Sequence, residues 1–266
     1  MILIHPISPI AISLFGLNIR WYAIAYIAAF VIGFQIFKKL TKNSKLSGIN
    51  YDDLLSYVIL GVIIGGRVGY VLFYNLPFFM QNPLEIFAVW HGGMSFHGGL
   101  AGVIGGVFLF ARRLKNLTSP ALQILDRIAI VAPIGLFFGR IANFINMEVM
   151  GRATDVAWAV VFSGIDSTPR HPSPLYEAAL EGIILFLIMW NLRNKNWRAG
   201  TLSGIFAIFY GIFRIFCEQF RQPDVQLGFL LGTNWLTMGT ILSLAMIIIG
   251  AGLIFHKKSV RITPKH

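Results

Sequence analysis

Charge is what this sequence has least of. Only 12% of its 266 residues are Asp, Glu, Lys or Arg and 56% are apolar, whereas an ordinary soluble domain carries about 25% charged residues. Mean hydropathy is +0.70. That shortage excludes a soluble globular chain and makes a nucleic-acid partner unexpected. Cysteine is nearly absent too. Cys217 alone rules out an internal disulfide framework, and no Cys/His cluster has zinc-ligand spacing, so neither a metal nor another cofactor is expected. The two-residue alternation of membrane barrel strands is missing. The first 19 residues hold no Lys or Arg and include Pro6, Pro9 and Gly16, a pattern unlike the basic start of a cleaved signal peptide.

What remains is a succession of apolar runs of about 20 residues, the length that crosses a hydrocarbon core as a helix. They predict an all-α integral membrane protein with seven transmembrane helices at 21–37, 54–73, 96–111, 121–139, 175–192, 201–217 and 235–255. The runs leave no room for a separate soluble domain, so 1–266 is read as one polytopic membrane domain with an outer loop or head region at 140–174. Basic clusters follow alternate spans: Lys38, Lys39, Lys42 and Lys45; Arg112, Arg113 and Lys115; Arg193, Lys195 and Arg198; Lys257, Lys258, Arg261 and Lys265. Positive charge marks the cytoplasmic side, which predicts an outside N-terminus and a cytoplasmic C-terminus. Those basic segments suit contact with anionic membrane lipid.

The opposite face carries arginine and no lysine: Arg20, Arg67, Arg140, Arg152, Arg170, Arg214 and Arg221. Orientation requires only positive charge, which lysine supplies. A face built from arginine alone suggests planar, bidentate recognition of phosphate or carboxylate. Within the spans, Gly61, Gly65 and Gly69 recur every fourth residue, as do Gly98, Gly102 and Gly106. Small residues at this spacing let helices approach closely in lipid. Gly98 and Gly99 follow His97 and could instead let a lipid headgroup approach the backbone.

Five segments bring polar groups to the outer ends of the spans. Arg20-Trp21-Tyr22 opens the first, where an aromatic pair is also an ordinary interfacial anchor. Arg67 lies in GGRVGY near the end of the second. HGGMSFHGGL, 91–100, repeats a His-Gly-Gly unit, and His97 at a helix start is a general-base candidate because its pKa lies near neutrality. The stretch 139–152, GRIANFINMEVMGR, follows an apolar run and sets Arg140, Asn143 and Asn146 at i, i+3 and i+6, with Glu148 close behind. An arginine beside neutral amides suits an anion; a structural Arg140–Glu148 pair is the alternative. In YGIFRIFCEQFRQPD, 210–224, residues Tyr210, Arg214 and Glu218 form a polar stripe with Arg221 three further on. An internal Arg214–Glu218 pair would still leave positive charge uncompensated. In RHPSPLYE, 170–177, Ser173 is read as an N-cap and Pro174 as first-turn. Tyr176, Glu177 and Glu181 then share a helical face, and Glu181 needs a bundle-interior partner.

In this order on a seven-span frame, HGGMSFHGGL, GRIANFINMEVMGR, RHPSPLYE and YGIFRIFCEQFRQPD resemble the prolipoprotein diacylglyceryl transferase family, over essentially the whole chain. The resemblance implies a bacterial inner-membrane enzyme that moves the diacylglyceryl group of phosphatidylglycerol onto the thiol of a lipobox cysteine in a prolipoprotein signal peptide, releasing glycerol phosphate. By motif position it places functional residues at Tyr22, His97, Arg140, Asn143, Glu148, Gly151, Tyr210, Arg214, Glu218 and Arg221. Together with the residue reading, the expected catalytic set is His97, Arg140, Arg214, Glu148 and Tyr22. The expected phosphatidylglycerol-binding set is Arg140, Asn143, Asn146, Gly151, Tyr210, Arg214, Glu218, Arg221, Arg67, Gly98 and Gly99. Cys217 is expected to be a packing residue, since the substrate brings the sulfur. A lipid or anionic-solute transporter is the rival reading, weakened by the absence of an internal repeat. A seven-span receptor gives no reason for so many outer arginines.

Overall fold

The computed structural model describes residues 3–5, 7–14, 17–42, 44–223, 228–230 and 232–255. Lys257, Lys258, Arg261 and Lys265 of the last basic cluster lie outside the described residues. Among the described residues six helices are long and apolar enough to cross a membrane. They are α1 (Trp21–Lys42), α2 (Tyr51–Phe73), α5 (Pro120–Ile145), the continuous helix Ser173–Leu192, α8 (Thr201–Glu218) and α9 (Met238–Phe255). The run expected at 96–111 forms α4 (Phe96–Ala111), a shorter apolar helix of 16 residues. The short α3 (Leu76–Gln81) and two 3₁₀ turns, Pro83–Phe87 and Val89–His91, fill the loop between α2 and α4. The helix Ser173–Leu192 consists of α6 (Ser173–Glu177), a π-helical turn (Ala178–Ile184) and α7 (Leu185–Leu192).

Among the described residues, short strands lie outside these helices. β2 (Ile10–Leu14) and β3 (Leu17–Arg20) make an antiparallel hairpin leading into α1. β1 (Leu3–Ile4) pairs parallel with β4 (Val160–Val161), which pairs antiparallel with β5 (Pro169–Arg170).

The chain divides into two compact units, residues 38–127 and residues 1–37 with 128–266. In the first, α2 and α4 interlock through their glycines. A Cβ on Gly102 would collide with the carbonyl oxygen of Gly61, and one on Gly61 with that of Gly102. Gly98 sits against Gly65 and Gly69 in the same way. Backbone approach this close gives dispersion contact that lipid tails cannot match. Asn50 caps α2 by accepting from the amides of Asp52 and Asp53, and Ser95 caps α4 by accepting from that of Gly98.

Two boundaries in the second unit differ from expectation. α5 ends at Ile145, not 139, so residues 140–145 are helical. Arg140 does not stop the helix because its charge is met inside the protein, as described below. Ser173 is the first residue of α6 and Pro172 its cap; the buried Ser173 hydroxyl donates to the Val149 carbonyl at 3.0 Å instead of capping the helix.

Candidate functional site

In residues 1–37 with 128–266, three helices converge on a buried cluster of opposite charges. Arg140 comes from the last turns of α5, Glu177 and Glu181 from α6 and the π-helical turn, and Arg214 and Glu218 from the end of α8. The three carboxylates are 0%, 0% and 1% exposed. Arg140 Nε forms an ion pair with Glu177 Oε2 at 2.7 Å, and Arg214 Nη1 donates to the same oxygen at 2.7 Å. One carboxylate oxygen therefore bridges two guanidinium groups. Glu181 is looser, with Oε2 at 3.4 Å from Arg140 Nη2 and Oε1 at 3.7 Å from Arg214 Nη1. On the other side of Arg214, its Nη2 donates to Glu218 Oε1, which also accepts from Arg221 Nη1 at 3.0 Å. Glu218 Oε2 accepts from Thr237 Oγ1 at 2.7 Å.

Three arginines and three glutamates bring the formal charge of the cluster to zero, which corrects the expectation that the α8 stripe stays positive. The compensating carboxylates come from another helix. Burying an ion costs several kcal/mol unless partners replace its hydration, and the shared oxygens supply those partners. The partner required for Glu181 is thus found, and the alternative Arg140–Glu148 pair is not formed. Glu148 accepts from Asn143 Nδ2 at 3.0 Å. Arg140 is the more accessible of the two bridged arginines, 19% against 9% by side chain, and its Nη1 has no hydrogen bond among the described residues.

The remaining expected residues of this unit fall around the cluster. Tyr22 is within electrostatic reach of Glu148 and Arg140, and its hydroxyl lies 3.1 Å from that of Tyr26. Tyr210, buried and stacked on Phe206, interacts with the charges of Glu181, Arg214 and Arg140. Asn146 continues the helical bonding of α5 through Ala142, and its Oδ1 is buried without a hydrogen bond among the described residues. Just beyond, Met147 and Val149 both adopt φ 56°. For a β-branched residue such as Val149 this left-handed conformation is strained, and it is held by the Asn143–Glu148 and Ser173–Val149 bonds. A Cβ on Gly151 would collide with the His171 carbonyl, so only glycine fits that crossing.

Arg152 closes the end of α8, with Nε and Nη2 donating to the carbonyls of Arg221 and Glu218. Arg170 binds Asp166 at 2.6 Å and Gln222 at 2.8 Å. The Arg170 hydrogen bond holds the Asp166 carboxyl below its usual pKa, and burial lowers the pKa of His171.

Arg67, Gly98, Gly99 and His97 belong to residues 38–127. Arg67 is 5% exposed and donates to five carbonyls, those of Glu85, Ile86, Ala88, Gly92 and Gly93. Gly98 is a helix-packing position, and Gly99 lies near Val62. His97 is in the first turn of α4; its side chain lies outside the described residues.

Glu177 and Glu181 are the members of the cluster that sequence reasoning did not assign to the site. Their signal is present: two glutamates four apart in an otherwise apolar helix demand cationic partners. The pairing with Arg140 and Arg214 joins residues far apart in sequence and carries no local signature.

Fold and cluster define a multi-pass helical membrane protein with a buried guanidinium–carboxylate centre. The family model described as prolipoprotein diacylglyceryl transferase matches residues 9–256. Among similar proteins, the phosphatidylglycerol–prolipoprotein diacylglyceryl transferase of Azospirillum brasilense is 52% identical over 93% of both chains. That of Methylocella silvestris is 51% identical over 93% of both, and that of Nitratidesulfovibrio vulgaris 46% identical over 93% of this chain and 94% of its own. The chain belongs to the prolipoprotein diacylglyceryl transferase family.

Proposed function

We propose that this protein transfers the diacylglyceryl group of phosphatidylglycerol to the thiol of a lipobox cysteine in a prolipoprotein signal peptide, the first step of lipoprotein maturation. The observation that carries the site reading is the pair of guanidiniums, Arg140 and Arg214, joined through one oxygen of Glu177 in a chain of this family. In the reaction a C–S bond forms at the glyceryl carbon, the C–O bond to phosphate breaks, and glycerol phosphate leaves. The thiol proton passes to a base, because the thiolate is the nucleophile and an unperturbed thiol has a pKa of about 8.5. His97 is the proposed base, on residue type and its place at a helix start, with Glu148 and Tyr22 as the alternative candidates.

Arg140 and Arg214 are the proposed clamp for charge growing on the departing phosphate. Arg140 offers the accessible donor. Asn146 Oδ1, buried and unbonded among the described residues, is the proposed acceptor for a headgroup hydroxyl. Asn143, Glu148, Gly151, Tyr210, Glu218 and Arg221 complete the lipid site. Arg67 and Gly98 are better assigned to loop support and helix packing, since their surroundings already occupy them.

The topology proposed with this function counts α4 as a seventh span, with an outside N-terminus and a cytoplasmic C-terminus in the bacterial inner membrane. The basic clusters after alternate spans support that orientation. Purified protein supplied with phosphatidylglycerol and a lipobox peptide should consume the lipid and yield a thioether-linked diacylglyceryl peptide. Lipid movement without thioether would favour a transporter.

A further inference from the structure

The chemistry above gives Arg140 and Arg214 a task and leaves Glu177 and Glu181 without one. We propose that Glu177 is a positioning residue for diacylglyceryl transfer, its Oε2 holding the Arg140 and Arg214 guanidiniums together so that both serve one phosphate, with Glu181 assisting from one turn further along. The inference rests on the phosphate-clamp reading of those two arginines.

Two cations on different helices repel one another in a medium of low dielectric, and only a shared anion keeps them adjacent. Glu177 Oε2 is that anion, at 2.7 Å from a nitrogen of each. Arg214 is also tied to its own helix by Glu218, so Glu218 anchors it while Glu177 sets its approach to Arg140. The helix carrying the glutamates is shaped for this contact. Its π-helical turn, a rare form that recurs at functional sites, spans Ala178–Ile184 and contains Glu181. In the same turn the backbone of Gly182 presses on α5, where an added Cβ would lie 2.7 Å from the Cβ of Phe137. Phe137 and Arg140 are i and i+3 on α5 and share a face, so the close approach at Gly182 also brings the carboxylates to Arg140.

A purely structural role, neutralising buried arginines, would weigh the two glutamates alike, because both are 0% exposed. A positioning role would not, because Glu177 makes two contacts at 2.7 Å and Glu181 only contacts at 3.4 and 3.7 Å. Glu177→Gln keeps the shape and an acceptor oxygen; its amide nitrogen would take the place of Oε1, which has no hydrogen bond among the described residues.

The test measures kcat and KM for phosphatidylglycerol, per folded molecule, in the purified full chain and in E177Q, E181Q, R140K and R214K, with the folded fraction taken from thermal unfolding in detergent. Misplacing the clamp should lower kcat about 100-fold in E177Q and about tenfold in E181Q, with KM within about threefold of the parent value. Equal losses in the two glutamine variants, an undiminished kcat in E177Q, or a loss accounted for by the folded fraction, failure to fold included, would overturn the proposal. Full activity in both R140K and R214K would remove the clamp itself. Loss in both with full activity in E177Q would remove only the positioning role.

Discussion

Arg67 and Arg214 are about equally buried, 5% and 8% exposed, yet they meet opposite kinds of acceptor. Arg67 points its nitrogens at five backbone carbonyls of 85–93 and ties a loop to α2. Arg214 meets the carboxylates of Glu177, Glu181 and Glu218, which hold their own charge out of water for its sake. A carbonyl set satisfies the donors of a guanidinium and leaves its charge in place. A carboxylate set cancels the charge and invites competition from another anion. The first arrangement suits architecture and the second suits a site that must receive and release a phosphate.

The largest expected effect breaks the carboxylate set. Arg140→Lys and Arg214→Lys should each lower diacylglyceryl transfer about 100-fold or more, the scale of removing one preorganised donor from a developing anion, because an ammonium cannot bridge as a fork does. Product formation on a lipobox peptide is the readout, and undiminished rates in both variants would end the clamp reading. Arg67→Lys should separate the two arrangements. It leaves buried carbonyls unpaired at about 1–3 kcal/mol each, so it should lower the unfolding temperature in detergent. Rate per folded molecule should hardly change; a selective loss of rate at full stability would move Arg67 into the lipid site.

Helix packing gives the next effect. Gly102→Val drives a side chain into the Gly61 carbonyl and should cost about 3 kcal/mol, whereas Gly105→Ala enters open space and should be silent. Similar melting temperatures for the two would refute the glycine interlock.

Six of the seven expected spans are legible because an apolar run of membrane length carries its own signal; the run at 96–111 forms a shorter helix of 16 residues. The packing glycines were legible because they recur every fourth residue on both α2 and α4. Arg140 was recognised as costly, but its partners were not, since Glu177 and Glu181 stand 37 and 41 positions away along the chain. The π-helical turn, which begins just after Glu177 and contains Glu181, has no residue signature. Arg67 was misleading in the opposite sense: an outer arginine in a glycine-rich segment reads as an anion ligand until the carbonyls of the following loop are in place.

A smaller effect concerns pH, at two histidines outside the spans. Burial lowers the pKa of His5, which stacks on Phe162 and meets Phe144 edge to face, and of His171. Below the ordinary value of 6.5 the unfolded chain takes up protons that the folded chain resists, so stability should rise with pH through that region and level off above it. Thermal unfolding at pH 5.5, 6.5 and 7.5 checks the sign, and His5→Phe should flatten the slope.

The smallest effect should come from a buried residue beside the charge cluster in sequence with no part in it. Cys217 is fully buried on α8 between Arg214 and Glu218. Its neighbours in sequence engage the carboxylate network, but the acceptor substrate brings the reacting sulfur, so the thiol of Cys217 has only volume to contribute. Cys217→Ser changes that volume little and should keep transfer within about threefold of the parent rate. Loss of transfer in a folded C217S protein would point to a covalent intermediate on Cys217, formed as glycerol phosphate leaves, and the carboxylate-set arginines would then act in that first half of the reaction.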